Sequence, residues 1–301
     1  MSVDAILIAG PTASGKSRAA LELAEAIGGV IVNADAMQVY REPRILTARP
    51  SDADMARVPH LLYGHVPARE HYSTGRYQSD AGHALTEVRK AGRVPIFVGG
   101  TGLYFRALTD GLSEMPTVPA GVRAAARARL AAIGNDAFHA ALAARDPEMA
   151  AQLNPGDSQR MLRAWEVLEA SGRSLAFWQK NEGRPVLDGL RLSTFVIEVP
   201  RETLRERIDA RFRAMVAAGA MDEALALADL DPALPAARII GRRELLAQHD
   251  GALADAIGRA VIATRQYAKR QDTWFRNQLP DWRRIDGLRS NFISEMVKLL
   301  R

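Results

Sequence analysis

Short, wholly apolar runs that end in glycine or a polar residue alternate with longer stretches of helical spacing through the N-terminal third of the chain. Ala5-Ile6-Leu7-Ile8-Ala9 has no polar position and stops at Gly10-Pro11. A run without polar alternation fits a strand buried on both faces. Helical spacing follows from Ser17 to Ile27 and ends at Gly28-Gly29, and Val30-Ile31-Val32 reads as a second buried strand closing at Asn33. A second helix fits Tyr77 to Ala91, stopped by Gly92, and Val94-Pro95-Ile96-Phe97-Val98 is the third buried strand. Strand, helix and strand in alternation predict a parallel sheet with right-handed crossovers.

The pattern changes after Gly111. Met115-Pro116 to Pro119 reads as a hinge, and from Gly121 to Ala170 the chain is rich in Ala, Leu and Arg at helical spacing with no convincing strand. Gly183 to Gly189 reads as a second hinge. Leu192 to Val199 then alternates Thr194, Val196 and Glu198 against Phe195, Ile197 and Val199, as a strand does. Helical patterns cover 201–228, about 238–249 and about 251–275. The expected architecture is an α/β core, residues 1–115 and 190–301, interrupted by a helical insertion at 116–189 and completed by C-terminal helices. No internal repeat is visible.

Composition narrows the class. Of 301 residues, 48% are hydrophobic and 25% charged, which excludes a mostly disordered chain. No apolar run approaches the roughly 20 residues a membrane helix needs, so no membrane partner is expected. The first residues lack the basic region and cleavage site of a secretory signal. The absence of cysteine removes thiolate nucleophiles and Cys-based zinc sites, and it fits a reducing, cytoplasmic setting. The six histidines are scattered, so no zinc site is expected either. Net charge is +5, and Arg238 to Arg284 alone holds ten basic residues against five acids, a surplus equal to that of the whole chain. A polyanion partner and a solvated helix surface both account for this.

Gly10-Pro11-Thr12-Ala13-Ser14-Gly15-Lys16-Ser17 fits G-x-x-x-x-G-K-[ST], after a predicted strand and opening a predicted helix. The glycines let backbone N–H groups turn toward a phosphate, and the helix N-terminus adds partial positive charge. Lys16 is placed to meet the terminal phosphates and Ser17 to ligate Mg2+. The third strand runs into Gly99-Gly100-Thr101-Gly102 without the carboxylate an NTPase uses to hold Mg2+ against a γ-phosphate. Asp35 follows the second strand, and Thr101 the third. Ligands of open α/β sheets lie beyond the carboxyl ends of the strands, so both should face the phosphate crevice. A carboxylate there either holds a metal, accepts a proton, or simply closes an Asx-turn.

These motifs occur in one order: the phosphate loop, Asp35-Ala36-Met37-Gln38-Val39-Tyr40, Gly99 to Tyr104, Asp157-Ser158-Gln159-Arg160, and Thr264 to Arg276. In that order and over nearly the whole chain, the sequence resembles the bacterial tRNA dimethylallyltransferases, or tRNA isopentenyltransferases. The resemblance implies a P-loop kinase-like parallel-sheet core with a helical insertion, and use of Mg2+. It implies transfer of a dimethylallyl group from dimethylallyl diphosphate to N6 of adenosine-37, next to the anticodon, by a monomer that grips the tRNA anticodon stem-loop. By matching position, Asp35 is implied as the general base and Thr101 as the group that positions the amine. Gly10, Thr12, Ala13, Ser14, Gly15, Lys16, Ser17 and Arg265 are implied to hold diphosphate. The implied tRNA contacts are Asp35, Ala36, Met37, Gln38, Thr101, Arg123, Gln159, Arg160, Met161, Leu162, Arg163, Arg238, Arg242, Arg243, Thr273, Trp274, Phe275 and Arg276. The chain departs from the family pattern at Ala36, where Ser is usual, at Arg242, where Tyr is usual, and in the Arg44 to Pro50 segment, which lacks a Gly.

On the C-terminal helix, Arg265, Lys269, Asp272 and Arg276 form one mostly basic stripe, with Tyr267, Arg270 and Trp274 on a neighbouring face. An RNA surface and a core-packed aromatic face beside a solvated basic one both fit. Two rival activities share the loop: a small-molecule kinase, and a prenyltransferase for free adenine nucleotides, which needs less basic surface.

Overall fold

The computed structural model describes residues 3–180, 183–247, 253–290 and 292–300. Among them six strands, β1 (Ala5–Ala9), β2 (Val30–Asn33), β3 (His60–Leu61), β4 (Pro95–Gly99), β5 (Leu192–Glu198) and β6 (Arg283–Asp286), form one sheet in the order β3-β2-β4-β1-β5-β6. Every pair is parallel; Ile8 of β1 lies opposite Val98 on one side and Phe195 on the other. Ala5, Leu7 and Ala9 join Val32, Phe97 and Val196 in the core on one face. Ile6 and Ile8 join Ile31, Ile96, Phe195 and Ile197 on the other. Burial on both faces is why these strands carry no polar alternation.

The chain divides into two compact units, residues 1–109 with 186–301, and residues 110–185. In the sheet unit, α1 (Lys16–Ile27) presses Ala19, Ala20, Leu23 and Ala24 onto one face of the sheet. Helix α2 (Asp52–Arg57) is a short turn opened by a Ser51–Asp54 capping box. Helices α3 (Thr74–Lys90) and α4 (Gly102–Thr109) cover the other face, with the Tyr77 and Tyr104 rings stacked 3.6 Å apart between centroids.

The helical unit begins at Asp110 and ends at Pro185, a few residues before each boundary expected from composition. It holds α5 (Ala120–Arg145), α6 (Pro147–Ala150), α7 (Ser158–Ser171) and α8 (Leu175–Gln179). Gly134, at φ 77° and ψ 172°, breaks α5 into two segments. Phe138, Leu142, Met161 and Trp165 form its core, and the guanidinium groups of Arg129 and Arg145 lie 4.9 Å from the Trp165 ring. Asp157 caps α7 by accepting from the Arg160 N–H.

Back in the sheet unit, the single helix expected over 201–228 is two, α9 (Arg201–Ala217) and α10 (Ala220–Ala226), because Gly219 turns to φ 100° between them. The helix expected over 238–249 is a 3-10 turn at Pro235–Arg238 and a short α11 (Arg242–Leu246), separated by Gly241 at φ 98°. The long α12 (Leu253–Gln278) follows, then β6 and α13 (Phe292–Leu299). The expected helix ends at His249 and Gly251 lie outside the described residues.

Candidate functional site

Residues 10–15 leave β1 and turn into α1 at the carboxyl edge of the sheet. Ala13 and Gly15 both take positive φ, 64° and 92°, and Ser14 N–H donates to the Pro11 carbonyl at 3.1 Å. Gly10 has no room for a side chain, since a Cβ there would lie 2.7 Å from Ser14 Oγ and 3.2 Å from the Ile197 carbonyl oxygen. The first turn of α1 has no acidic residue and no capping side chain. Its positive end is therefore unopposed, which is the electrostatic condition for binding an anion.

Three cations converge on this loop. Lys16 Nζ donates to the Pro11 carbonyl at 3.3 Å. Burial pulls its ammonium down to about 8; the Asp35 carboxylate opposes that shift and Arg211 reinforces it. Arg211 of α9 donates to Thr12 Oγ1, and Arg207, one turn earlier, reaches the Ser14 carbonyl at 3.5 Å. Burial also lowers Arg211, again opposed by Asp35. Arg207 and Arg211 escape detection in the sequence because α9 is dense in charge. The distinguishing signal is structural: Arg205 pairs with Glu202 and Arg213 with Asp209, whereas Arg207 and Arg211 have no carboxylate partner among the described residues.

Asp35 sits in the turn after β2. Its N–H donates to Asn33 Oδ1, and its Oδ1 accepts from Met37 N–H, each at 2.9 Å. The Asx-turn is thus real, but it uses one carboxylate oxygen and leaves Oδ2. Asp35 raises the Tyr63, Tyr104 and Tyr267 phenols as a secondary influence, with burial the main cause for each. The carboxylate is thereby within electrostatic reach of Lys16, Arg211 and three phenols. Thr101 Oγ1 accepts from Ala36 N–H at 2.9 Å, tying the turn to the loop after β4. The glycines of that loop are contact points. A Cβ on Gly99 would lie 1.9 Å from the Ala34 carbonyl oxygen, one on Gly100 2.2 Å from Gln271 Nε2, and one on Gly102 2.3 Å from the Trp274 ring. Gln38 spends its amide donors on the carbonyls of Thr47 and Ala48, at 2.9 and 3.1 Å.

On α12 the face bearing Tyr267, Gln271 and Trp274 turns toward the loop after β4, and Arg265, Lys269 and Arg276 are exposed. Gln271, within the quoted motif but unassigned from sequence, is buried beneath Thr12 and Gly100. Arg276 pairs with Asp272 at 2.6 Å. Arg265 makes no hydrogen bond or ion pair with the phosphate loop among the described residues, and its charge falls on Asp209. It lines, with Pro11, Arg201 and Lys269, a cavity of about 1150 Å3 between α9 and α12. The guanidinium groups that touch the loop are those of Arg211 and Arg207.

Three expected RNA-contact side chains are corrected. Phe275 is 1% exposed, packed edge-on against Phe105. Met161 is wholly inside the core of the helical unit. Arg242 is 8% exposed and its guanidinium donates to the carbonyls of Leu227, Ala228 and Ala237, closing the end of α10. The Arg that stands at the usual Tyr position therefore works as a helix cap. Arg238, Arg243 and Thr273 are exposed, and Trp274 and Ser17 remain accessible. In the helical unit Gln159 and Arg160 are exposed at the start of α7, and Leu162 is half-buried. Burial lowers Arg163, with Glu166 opposing and the nearby Arg123 reinforcing, so two guanidinium groups share one patch.

Comparisons with known proteins bear on the family and the fold. The sequence model of the IPP transferase family matches residues 38–278, and that of isopentenyl transferase matches residues 3–63. A tRNA dimethylallyltransferase of Agrobacterium fabrum is 51% identical over 287 residues, 94% of this chain and 96% of its own. That of Nitrobacter hamburgensis is 52% identical over 288 residues, 94% of this chain and 90% of its own. The crystal structure of the tRNA isopentenylpyrophosphate transferase of Bacillus halodurans superposes with a TM-score of 0.70 at 30% identity, over 99% of this chain and 95% of that one. A eukaryotic dimethylallyltransferase acting on tRNA superposes with a TM-score of 0.78 at 25% identity, over 98% of this chain and 77% of that one.

Proposed function

The chain belongs to the IPP transferase family, and from that premise we propose that it transfers the dimethylallyl group of dimethylallyl diphosphate to N6 of the tRNA adenosine on the 3′ side of the anticodon. The observation that carries the reading is one carboxylate, Asp35, within electrostatic reach of two half-buried cations, Lys16 and Arg211, at an anion-binding loop. The exocyclic amine is a poor nucleophile because its lone pair is delocalised into the purine. The reaction therefore depends on an allylic carbon whose bond to diphosphate is already stretched. As the C–O bond breaks, charge grows on the leaving oxygens, where Lys16, Arg211 and the loop N–H groups are worth most. The N6–C bond forms, and Asp35 takes the proton that leaves nitrogen. Thr101 orients the amine beside it. No γ-phosphate is cleaved, in keeping with a β4 that ends in Gly99-Gly100 rather than a carboxylate.

The donors available for a metal fit a hard cation. Ser17 offers a hydroxyl in the first turn of α1, and no cluster of three His, Asp or Glu side chains occurs among the described residues. An oxygen donor of this kind would suit Mg2+. Ser17 would hold the ion, which would supply neutralising charge to the leaving group.

The anticodon stem-loop is the RNA partner in this reading. The Asp35 to Gln38 turn meets the target base, and Arg238, Arg243, Thr273, Trp274 and Arg276 of the sheet unit grip the strand. Arg123, Gln159, Arg160, Leu162 and Arg163 add a second surface on the helical unit. Extruding the base costs a few kcal/mol, which these contacts offset. We place the enzyme in the cytoplasm, acting as a monomer; no helix among the described residues is long and apolar enough to cross a membrane.

The test supplies labelled dimethylallyl diphosphate, or γ-labelled ATP, with unmodified tRNA. Label should move from the prenyl donor to tRNA. Transfer from ATP to a small molecule, with none from the prenyl donor, rejects the reading. Asp35→Ala should lower turnover by about 100- to 10,000-fold while tRNA affinity stays nearly constant; a filter-binding assay that finds affinity lost instead makes Asp35 an RNA contact and not the base.

A further inference from the structure

Gln271 is the one side chain among the described residues that is hydrogen-bonded to both the phosphate loop and the loop after β4. Its Oε1 accepts from Thr12 N–H at 2.8 Å, and its Nε2 donates to the Gly100 carbonyl at 2.8 Å. The residue is 5% exposed. Both ends of the amide are committed, so its orientation is fixed: a flip would set donor against donor and acceptor against acceptor.

The bridge lies between the two halves of the chemistry. Thr12 belongs to the loop proposed to hold diphosphate, and its hydroxyl accepts from Arg211. Gly100 precedes Thr101, and a Cβ built on it would lie 2.2 Å from Gln271 Nε2 and 3.3 Å from Asp35 Oδ2. The amide and the carboxylate thus flank the same piece of backbone. The Tyr267 phenol, raised mainly by burial, lies beside Gln271 and Thr101, and Thr101 Oγ1 accepts from Ala36 N–H at 2.9 Å. The path from the donor loop to the Asp35 turn thus runs from the Gln271 amide to the Gly100 carbonyl, along the chain to Thr101, and from its hydroxyl to Ala36 N–H.

We infer that Gln271 is a positioning residue that sets the separation between donor loop and acceptor turn, so that the allylic carbon is captured by the amine and not by water. This rests on the transfer reaction proposed above. A carbon made electrophilic by departing diphosphate reacts with whichever nucleophile is placed best. If the amine is held too far, water attacks the same carbon. The C–O bond to diphosphate breaks, a C–O bond to water forms, and the products are dimethylallyl alcohol, diphosphate and a proton. A displacement of about 1 Å costs about a hundred-fold in a positioned reaction, but costs hydrolysis little, since water needs no placement by the protein.

The readout is the ratio of dimethylallyl alcohol to prenylated tRNA, from labelled donor and unmodified tRNA. Gln271→Leu removes both hydrogen bonds at nearly constant size. Gln271→Glu keeps an acceptor for Thr12 N–H and loses the donor to Gly100. For Gln271→Leu, transfer should fall about a hundred-fold and the ratio should rise at least about ten-fold, with tRNA KM changed less than about three-fold. Gln271→Glu should raise the ratio in the same direction. Loss of folded protein lowers both products together and leaves the ratio alone, so a purely structural role predicts no change in it. If either variant, assayed as folded protein, keeps the wild-type ratio, the inference is overturned; should Gln271→Leu fail to fold, Gln271→Glu decides alone. A wild-type enzyme that makes no prenylated tRNA refutes the function itself, a distinct result.

Discussion

Raising the pH from 7 to 9 should weaken binding of dimethylallyl diphosphate about ten-fold, through Lys16 alone. In the free protein its ammonium titrates near 8, because burial at the phosphate loop disfavours the charge. About 90% of Lys16 is then charged at pH 7 and about 10% at pH 9. Diphosphate at the ammonium raises its pKa above the free value. Affinity is therefore full below 8 and falls as pH rises through 8 toward the raised value. The loss corresponds to about 1.4 kcal/mol. The donor's own phosphate protons are mostly gone by pH 7, so they add little over this window. Calorimetry at pH 9 in two buffers of different ionisation enthalpy should report uptake of nearly one proton on binding. Lys16→Arg should abolish the slope, since a guanidinium stays charged throughout. A dissociation constant independent of pH between 7 and 9 in the wild type, or proton release instead of uptake, refutes the argument.

Two further outcomes follow from packing. Arg242→Ala leaves the carbonyls of Leu227, Ala228 and Ala237 without their donor and should cost about 2–4 kcal/mol in chemical denaturation, with tRNA affinity of the folded fraction unchanged; a large loss of affinity with stability intact would mean the side chain contacts RNA after all. Gly102→Ala places a Cβ against the rigid Trp274 indole at 2.3 Å and should destabilise by about 1–3 kcal/mol while lowering turnover, because the same ring packs at the site; an unchanged melting temperature would contradict that contact.

The central strands were legible for a simple reason. β1, β2 and β4 are buried on both faces, so their apolar runs are unbroken or nearly so, and β5, buried only from Phe195 to Ile197, showed instead as alternation. β6 escaped notice because it is an edge strand in which only Ile285 is buried, between Arg284 and Asp286. Helix α4 was hidden behind a glycine run that reads as loop. Those glycines are there because Ala34, Gln271 and Trp274 each approach too closely for a side chain. Lys16, Asp35 and Thr101 could be placed by motif and by the rule for strand ends. Arg211 and Gln271 could not. A guanidinium or an amide on an amphipathic helix looks the same in sequence whether it faces water or another loop, and their partners lie far away in the chain. Carrying roles over by matching position put Met161, Phe275 and Arg242 on an RNA surface, when all three are buried.

The order β3-β2-β4-β1-β5-β6 places a strand made late beside the first strand made. A nascent chain that has not yet delivered residues 192–198 from the ribosome carries β1 paired with β4 but with its other edge unpaired. The whole helical unit is synthesised during that interval, and α12, which bears Gln271, comes later still. A chain cut short before α9 and α12 should therefore lack Arg211 and Gln271 and be inactive. A stalled or truncated product should be a chaperone client and not a partial catalyst.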